Sequence, residues 1–170
     1  MRPTLEGGDI LVLRDDMLAI GYSERTEKTT IERLAESFKS RRSPIKRIFV
    51  VAIPPARSFM HLDTVFTVIS REECLVYGPM ILPEGAEEAD VYECDLTKRE
   101  ITWTTEKDLL SALKAQRLDM KPLRCGGDEQ GAAGGDDAHI TATDVLVEKT
   151  ANEAVIVLVG GSADLAAVAL

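Results

Sequence analysis

No stretch of this chain approaches the roughly 18 consecutive apolar residues that a membrane-spanning helix requires. The N-terminal residues Met1-Arg2-Pro3-Thr4-Leu5-Glu6 lack the apolar segment of a secretory signal, which leaves a cytoplasmic location as the expectation. Cysteine is scarce and odd in number: Cys74, Cys94 and Cys125 stand alone, with no CxxC pair. A zinc site or a thiol-redox motif therefore has no support, and packing is the first reading of these thiols. The glycines form neither a GxGxxG fingerprint nor a phosphate loop ending in Gly-Lys-Ser/Thr. Basic residues are in deficit. The net charge of −9 argues against a nucleic-acid partner, because an acidic surface repels phosphate.

What is present suits one soluble domain: 170 residues, 45% of them hydrophobic and 29% charged. Ile10–Leu13 and Met17–Gly21 are apolar runs separated by Arg14-Asp15-Asp16, the pattern of a β-hairpin. Ile31, Leu34, Ala35 and Phe38 lie on one helical face, with Thr29 and Glu32 placed as a capping box, a start as early as Thr26 left open, and Ser43-Pro44 as a stop. Ile48–Ile53 reads as a strand buried on both faces. The order then restarts, with strands at Thr64–Ile69, Leu75–Tyr77 and Val91–Leu96. A helix follows, marked by Leu109, Ala112 and Leu113, with Thr105 as its N-cap and Asp108 in its first turn. Two loose ββαβ units, the second with an inserted strand, suggest a repeat architecture of α/β class. Residues 1–123 form the expected domain. Residues 124–170 form a Gly/Ala-rich loop and a divergent tail, with possible strands at Asp144–Glu148 and Ala154–Gly160.

Three short clusters sit at the ends of these elements, where sites commonly form. In Glu6-Gly7-Gly8-Asp9, the glycines allow close backbone approach and the Glu6 carboxylate suits a planar cation such as guanidinium. In Gly21-Tyr22-Ser23-Glu24-Arg25-Thr26, Arg25 could grip a carboxylate. In Met60-His61-Leu62-Asp63-Thr64, an extended backbone would point His61 and Asp63 to the same side, where a carboxylate favours the protonated imidazole. Singly, each has a plain alternative: a solvated turn, a surface ion pair of Arg25 with Glu24 or Glu27, a surface histidine near an aspartate.

As an ordered set, EGGD, IGYSERT and MHLDT closely resemble the arginine deiminase family. The resemblance is strong from about Leu5 to about Tyr77, weakens through Leu123 and is hard to follow beyond. It implies a pentein, a propeller of ββαβ units around a central site, here only in part. It also implies hydrolysis of L-arginine to L-citrulline and ammonia with no metal or organic cofactor. In that chemistry a cysteine thiolate attacks the guanidinium carbon, ammonia leaves, and water resolves the covalent adduct. Carried over by motif, His61 is the general acid/base and Glu6 binds the guanidinium nitrogens and assists proton transfer. Asp63 is a second guanidinium-binding carboxylate, and Arg25 holds the substrate α-carboxylate. Gly7, Gly8 and Asp9 shape the site.

The resemblance is incomplete. The family's nucleophile lies in a glycine-rich stretch near its C-terminus that has no counterpart here. Cys125, between Arg124 and Gly126-Gly127, imitates it at the wrong position. Glu129-Gln130 only hints at a further family block. A family segment ahead of EGGD, with another aspartate and another arginine, also has no counterpart. The expectation is a family fragment that is inactive by itself and exposes unpaired sheet edges, which leaves a homo-oligomer open. Two readings stand beside it: a non-catalytic remnant that binds guanidino compounds, and a subunit completed by a second chain.

Overall fold

The computed structural model describes residues 4–55, 59–83 and 85–125, together with the backbone of two strands further on. Its elements are β1 (Ile10–Arg14), β2 (Met17–Tyr22), α1 (Lys28–Ser40), β3 (Arg47–Ala52), β4 (Phe66–Val68), β5 (Glu73–Val76), α2 (Gly78–Ile81), β6 (Val91–Asp95), β7 (Thr102–Glu106), α3 (Leu109–Ala115) and β8 (Lys121–Arg124). The backbone of β9 (Val145–Lys149) and β10 (Ala154–Leu158) forms an antiparallel ladder, near the two strands expected there. Beyond Cys125, the expected Gly/Ala-rich loop lies outside the described residues, as does the end of the tail, residues 159–170.

Two mixed sheets carry the fold, with strand orders β1-β2-β3-β6-β7 and β4-β5-β8. In the first, the hairpin β1/β2 is antiparallel and β2 then runs parallel to β3 after the α1 crossover. In the second, β4/β5 is antiparallel and β5 runs parallel to β8, with α3 ahead of β8. Both units are therefore hairpin, helix, parallel strand. The insertion in the second unit is two strands, β6 and β7, which extend the first sheet antiparallel to β3 and to each other.

Side-chain alternation divides the core. Along β2, Met17 and Ala19 enter a large cluster with Phe49, Val51, Leu62, Phe66 and Leu113, which lies between the sheets. Leu18 and Ile20 point to the other face, where Ile48 and Val50 pack under Ile31 and Ala35 of α1. A strand with both faces covered must be apolar along its whole length, which is why β2 and β3 read as continuous hydrophobic runs.

Four local expectations are corrected. The N-cap of α1 is Glu27, without a side-chain capping bond, and Thr29 already lies inside the first turn; Glu32 is 3.8 Å from Lys28 on the helix surface and makes no capping box. Thr105 does not cap α3, because it belongs to β7. Asp108 is the cap, its carboxylate accepting from the Ser111 amide at 2.7 Å. The strand expected from Thr64 begins at Phe66, because Leu62–Thr64 is a single 3₁₀ turn. For the same reason His61 and Asp63 are not alternate residues of an extended segment. His61 is extended and Asp63 is inside the turn. The short α2 and the strands β7 and β8 had no sequence-based expectation.

Candidate functional site

The site lies between two turns of one design. Gly7–Asp9 and Leu62–Thr64 are both 3₁₀ turns, and each leads into the hairpin of its unit. Each is closed by a backbone bond from its last residue to the residue before the turn: Asp9 N–H to Glu6 C=O at 3.1 Å, and Thr64 N–H to His61 C=O at 3.2 Å. Glu6 and His61 thus hold equivalent, extended positions ahead of their turns. They meet side chain to side chain, with His61 Nε2 2.6 Å from Glu6 Oε2. This hydrogen bond, foremost, and the neighbouring Arg25 guanidinium hold the Glu6 carboxyl below its ordinary range. An ionised Glu6 accepts only, so the imidazole Nε2–H donates.

Gly8 allows the two turns to approach. A Cβ at this position would lie 2.8 Å from Asp63 Oδ2 and 3.0 Å from the His61 Cβ. At Gly7 a Cβ would meet nothing within 4 Å. The carboxylates of these turns differ. Asp9 is fully buried and accepts from Ser23 Oγ at 2.8 Å, Thr26 Oγ1 at 2.6 Å and the Leu62 amide at 2.9 Å. Asp63 has a buried oxygen, Oδ1, with no hydrogen-bond partner. Burial, only partly offset by His61, pushes its carboxyl up, and the nearby Asp9 adds to the rise. Between two acids and an imidazole, this arrangement suits a planar cation with several N–H donors.

Arg25 reaches the same group from the second cluster. Its Nη1 is 3.4 Å from both oxygens of Glu6 and its Nη2 is 3.6 Å from Met60 Sδ. The expected alternatives, Glu24 and Glu27, are not its partners: the arginine faces the site. Glu6, Arg25, His61 and Asp63 are therefore brought together. Sequence reasoning passed over Ser23 and Thr26, the hydroxyl residues flanking Arg25, as well as Gly21, whose added Cβ would strike Asp9 Oδ1. No sequence signal marked them, because the burial of a threonine between charged neighbours leaves no pattern to read.

The three cysteines are buried. Burial pushes the Cys74 and Cys94 thiols up to about 12, far from nucleophilic use. Cys125 packs with Leu75, Ile69 and Leu123. Among the described residues, no group of three or more His, Cys, Asp or Glu side chains could hold a metal ion, and no helix is long and apolar enough to cross a membrane. On the opposite face of the first sheet a groove of about 470 Å³ is lined by Tyr22, Ile31, Val50, Tyr92 and Trp103, among others. It shares none of the four grouped residues.

The arginine deiminase family model matches residues 1–156. The chain belongs to the arginine deiminase family. Curated relatives agree: the arginine deiminase of Listeria monocytogenes serotype 4b is 38% identical over 130 residues, covering 74% of this chain and 31% of the relative. Those of Bacillus thuringiensis subsp. konkukian and Bacillus cytotoxicus are 37% identical over 128 residues and 36% over 129, with the same coverage. The chain thus spans about a third of the length of these arginine deiminases. The family match also continues past Leu123, where the motif resemblance had become hard to follow.

Proposed function

We propose that this chain carries the guanidino-binding and proton-transferring part of an arginine deiminase centre, within a partial pentein of ββαβ units. The observation that carries the reading is the meeting of Glu6 and His61 at 2.6 Å beside the unpartnered Oδ1 of Asp63. A guanidinium entering here exchanges the poor environment of Asp63 for charge-assisted hydrogen bonds. Glu6 takes further N–H groups, and Arg25 turns from Glu6 to the substrate α-carboxylate. The site would then select a free amino acid over a peptide arginine. His61, held as a donor by Glu6, gives a proton to departing ammonia and later takes one from water. Gly7, Gly8 and Asp9 shape the turns. The overall reaction is hydrolysis of L-arginine to L-citrulline and ammonia through a covalent adduct on a cysteine thiolate.

The burial of all three thiols favours a second reading for the isolated chain: binding of guanidino compounds without turnover. The nucleophile would then come from elsewhere, as in a subunit completed by another chain. Two measurements test these readings. Calorimetry of the purified chain should show arginine binding more tightly than agmatine, which lacks the carboxylate; equal affinity would remove Arg25 from its role. A citrulline assay with a thiol-blocked control should be negative in both arms. Release that is lost on blocking would make one of Cys74, Cys94 or Cys125 the nucleophile.

A further inference from the structure

Three loops from distant parts of the chain converge on one carboxylate. Asp9 lies in the first turn, Ser23 and Thr26 in the β2–α1 loop, and Leu62 in the second turn. Thr26 is more than a donor to Asp9. Its Oγ1 also accepts the backbone N–H of Glu6 at 3.2 Å. The line therefore runs from the Glu6 amide to the Thr26 hydroxyl to the Asp9 carboxylate, and on to the Leu62 amide, one residue past His61. Glu6 is bonded at one end and the His61–Asp63 segment at the other.

The geometry points to Asp9, acting through Thr26 and the Leu62 amide, as the positioning residue that fixes Glu6 and His61 against each other. The role deepens the proposed function and rests on the reading of Glu6 and His61 as its working pair. A carboxylate suits the task because it accepts from several directions at once, here from two hydroxyls and an amide. The Thr26 and Leu62 bonds are buried, where these donors have no water to turn to, and the Ser23 bond is part-buried. The close approach at Gly21 has the same origin: a side chain there would occupy the space of Asp9 Oδ1. Asp9 touches no substrate on this reading, so its effect must be seen in the pair it positions.

The test follows the Glu6 carboxyl directly, by carbon-detected NMR titration of the 170-residue chain. Thr26→Val keeps the shape of the side chain and removes both bonds; Thr26→Ser restores both. The expected result is that Glu6 titrates below the ordinary glutamate range in the parent chain and in Thr26→Ser. In folded Thr26→Val it moves back toward that range as the contact with His61 loosens. Unchanged Glu6 titration in folded Thr26→Val overturns the proposal, even if the variant is less stable, because a merely structural threonine would lower stability alone. Should Thr26→Val not fold, Asp9→Asn takes its place under the same criterion, since it keeps the shape and removes the charge. Arginine calorimetry on the parent chain keeps the two proposals apart. Absence of arginine binding would sink the guanidino reading, while the Glu6 titration would still decide the role of Asp9.

Discussion

Two turns of the same kind, Gly7–Asp9 ahead of β1 and Leu62–Thr64 ahead of β4, each carry an aspartate, and the two carboxylates have opposite environments. Asp9, itself fully buried, has three donors. Asp63 has a buried oxygen with none. The positions explain the difference. Asp9 ends its turn and faces the loops that follow β2 and precede β4. Thr64 holds the equivalent place in the second turn and bonds within it, Oγ1 to the His61 carbonyl at 2.6 Å. Asp63 sits one residue earlier, opposite Gly8. One unit thus supplies a carboxylate for architecture, and the other, on the proposed reading, a carboxylate for a ligand. A buried carboxylate oxygen without a donor destabilises the free protein, and on the proposed reading an arriving cation offsets that cost.

The largest effects should come from filling the space on the architectural side. Gly21→Ala drives a methyl group into Asp9 and against the Leu62 side chain. A loss of about 3 kcal/mol in urea unfolding is expected, at the upper end of ordinary overpacking. Gly8→Ala meets Asp63 and His61 instead, which can give more easily, so about 1–2 kcal/mol is expected. Its signature is functional: arginine binding should be lost in a chain that still folds. Equal stability losses, or retained binding in Gly8→Ala, would mean that the two turns do not divide the work in this way.

Asp63 gives the second contrast, in pH. Its folded carboxyl titrates above the ordinary aspartate range because of burial. Its contribution to stability is therefore present below that range and is lost as pH rises through the raised value. Asp63→Asn should accordingly make the free chain slightly more stable at neutral pH. It should also weaken arginine binding by about 2 kcal/mol or more, since a partner of a desolvated charge is removed. Binding must run the other way with pH. A guanidinium prefers the ionised acid, so affinity falls, with proton uptake at the site, as pH drops through the Asp63 value. It falls again lower, where Glu6, held below its ordinary range, takes up a proton. Calorimetry across pH should show the upper step in the parent chain and not in Asp63→Asn. A retained upper step would assign it to another group.

Much of this was legible in the sequence. Continuous apolar runs gave β2 and β3, because strands covered on both faces leave no other pattern. The Ile31, Leu34, Ala35, Phe38 spacing located α1. Glu6, Arg25, His61 and Asp63 were found through ordered motifs. The path by which His61 and Asp63 come together was misjudged, because a 3₁₀ turn of three residues leaves no periodicity to read. Strand β7 was missed because Thr102–Glu106 is a largely exposed edge strand, with Trp103 41% exposed and no buried alternation to mark it. Asp9 and Thr26 could not be ranked from sequence: a buried, fully bonded aspartate and a solvated one are the same letter. Their importance comes from contacts about 17 and 53 residues away along the chain.

The smallest expected effect is also the sharpest test of the motif reading, which treats its two glycines alike. A Cβ at Gly7 would meet no atom within 4 Å, and Gly7 does not lie in the left-handed region where a side chain is strained. Alanine there keeps the folded geometry and restricts the unfolded chain, so Gly7→Ala should be neutral or stabilise by about 0.4–1 kcal/mol. Glu6, next in the chain, should keep its lowered titration and its contact with His61. The pair Gly7→Ala and Gly8→Ala then isolates one physical variable, whether the turn faces open space or the opposing turn. If Gly7→Ala destabilised the chain as much as Gly8→Ala, the glycines would be required by the backbone of the turn itself. The close approach between the two units would then no longer account for the motif.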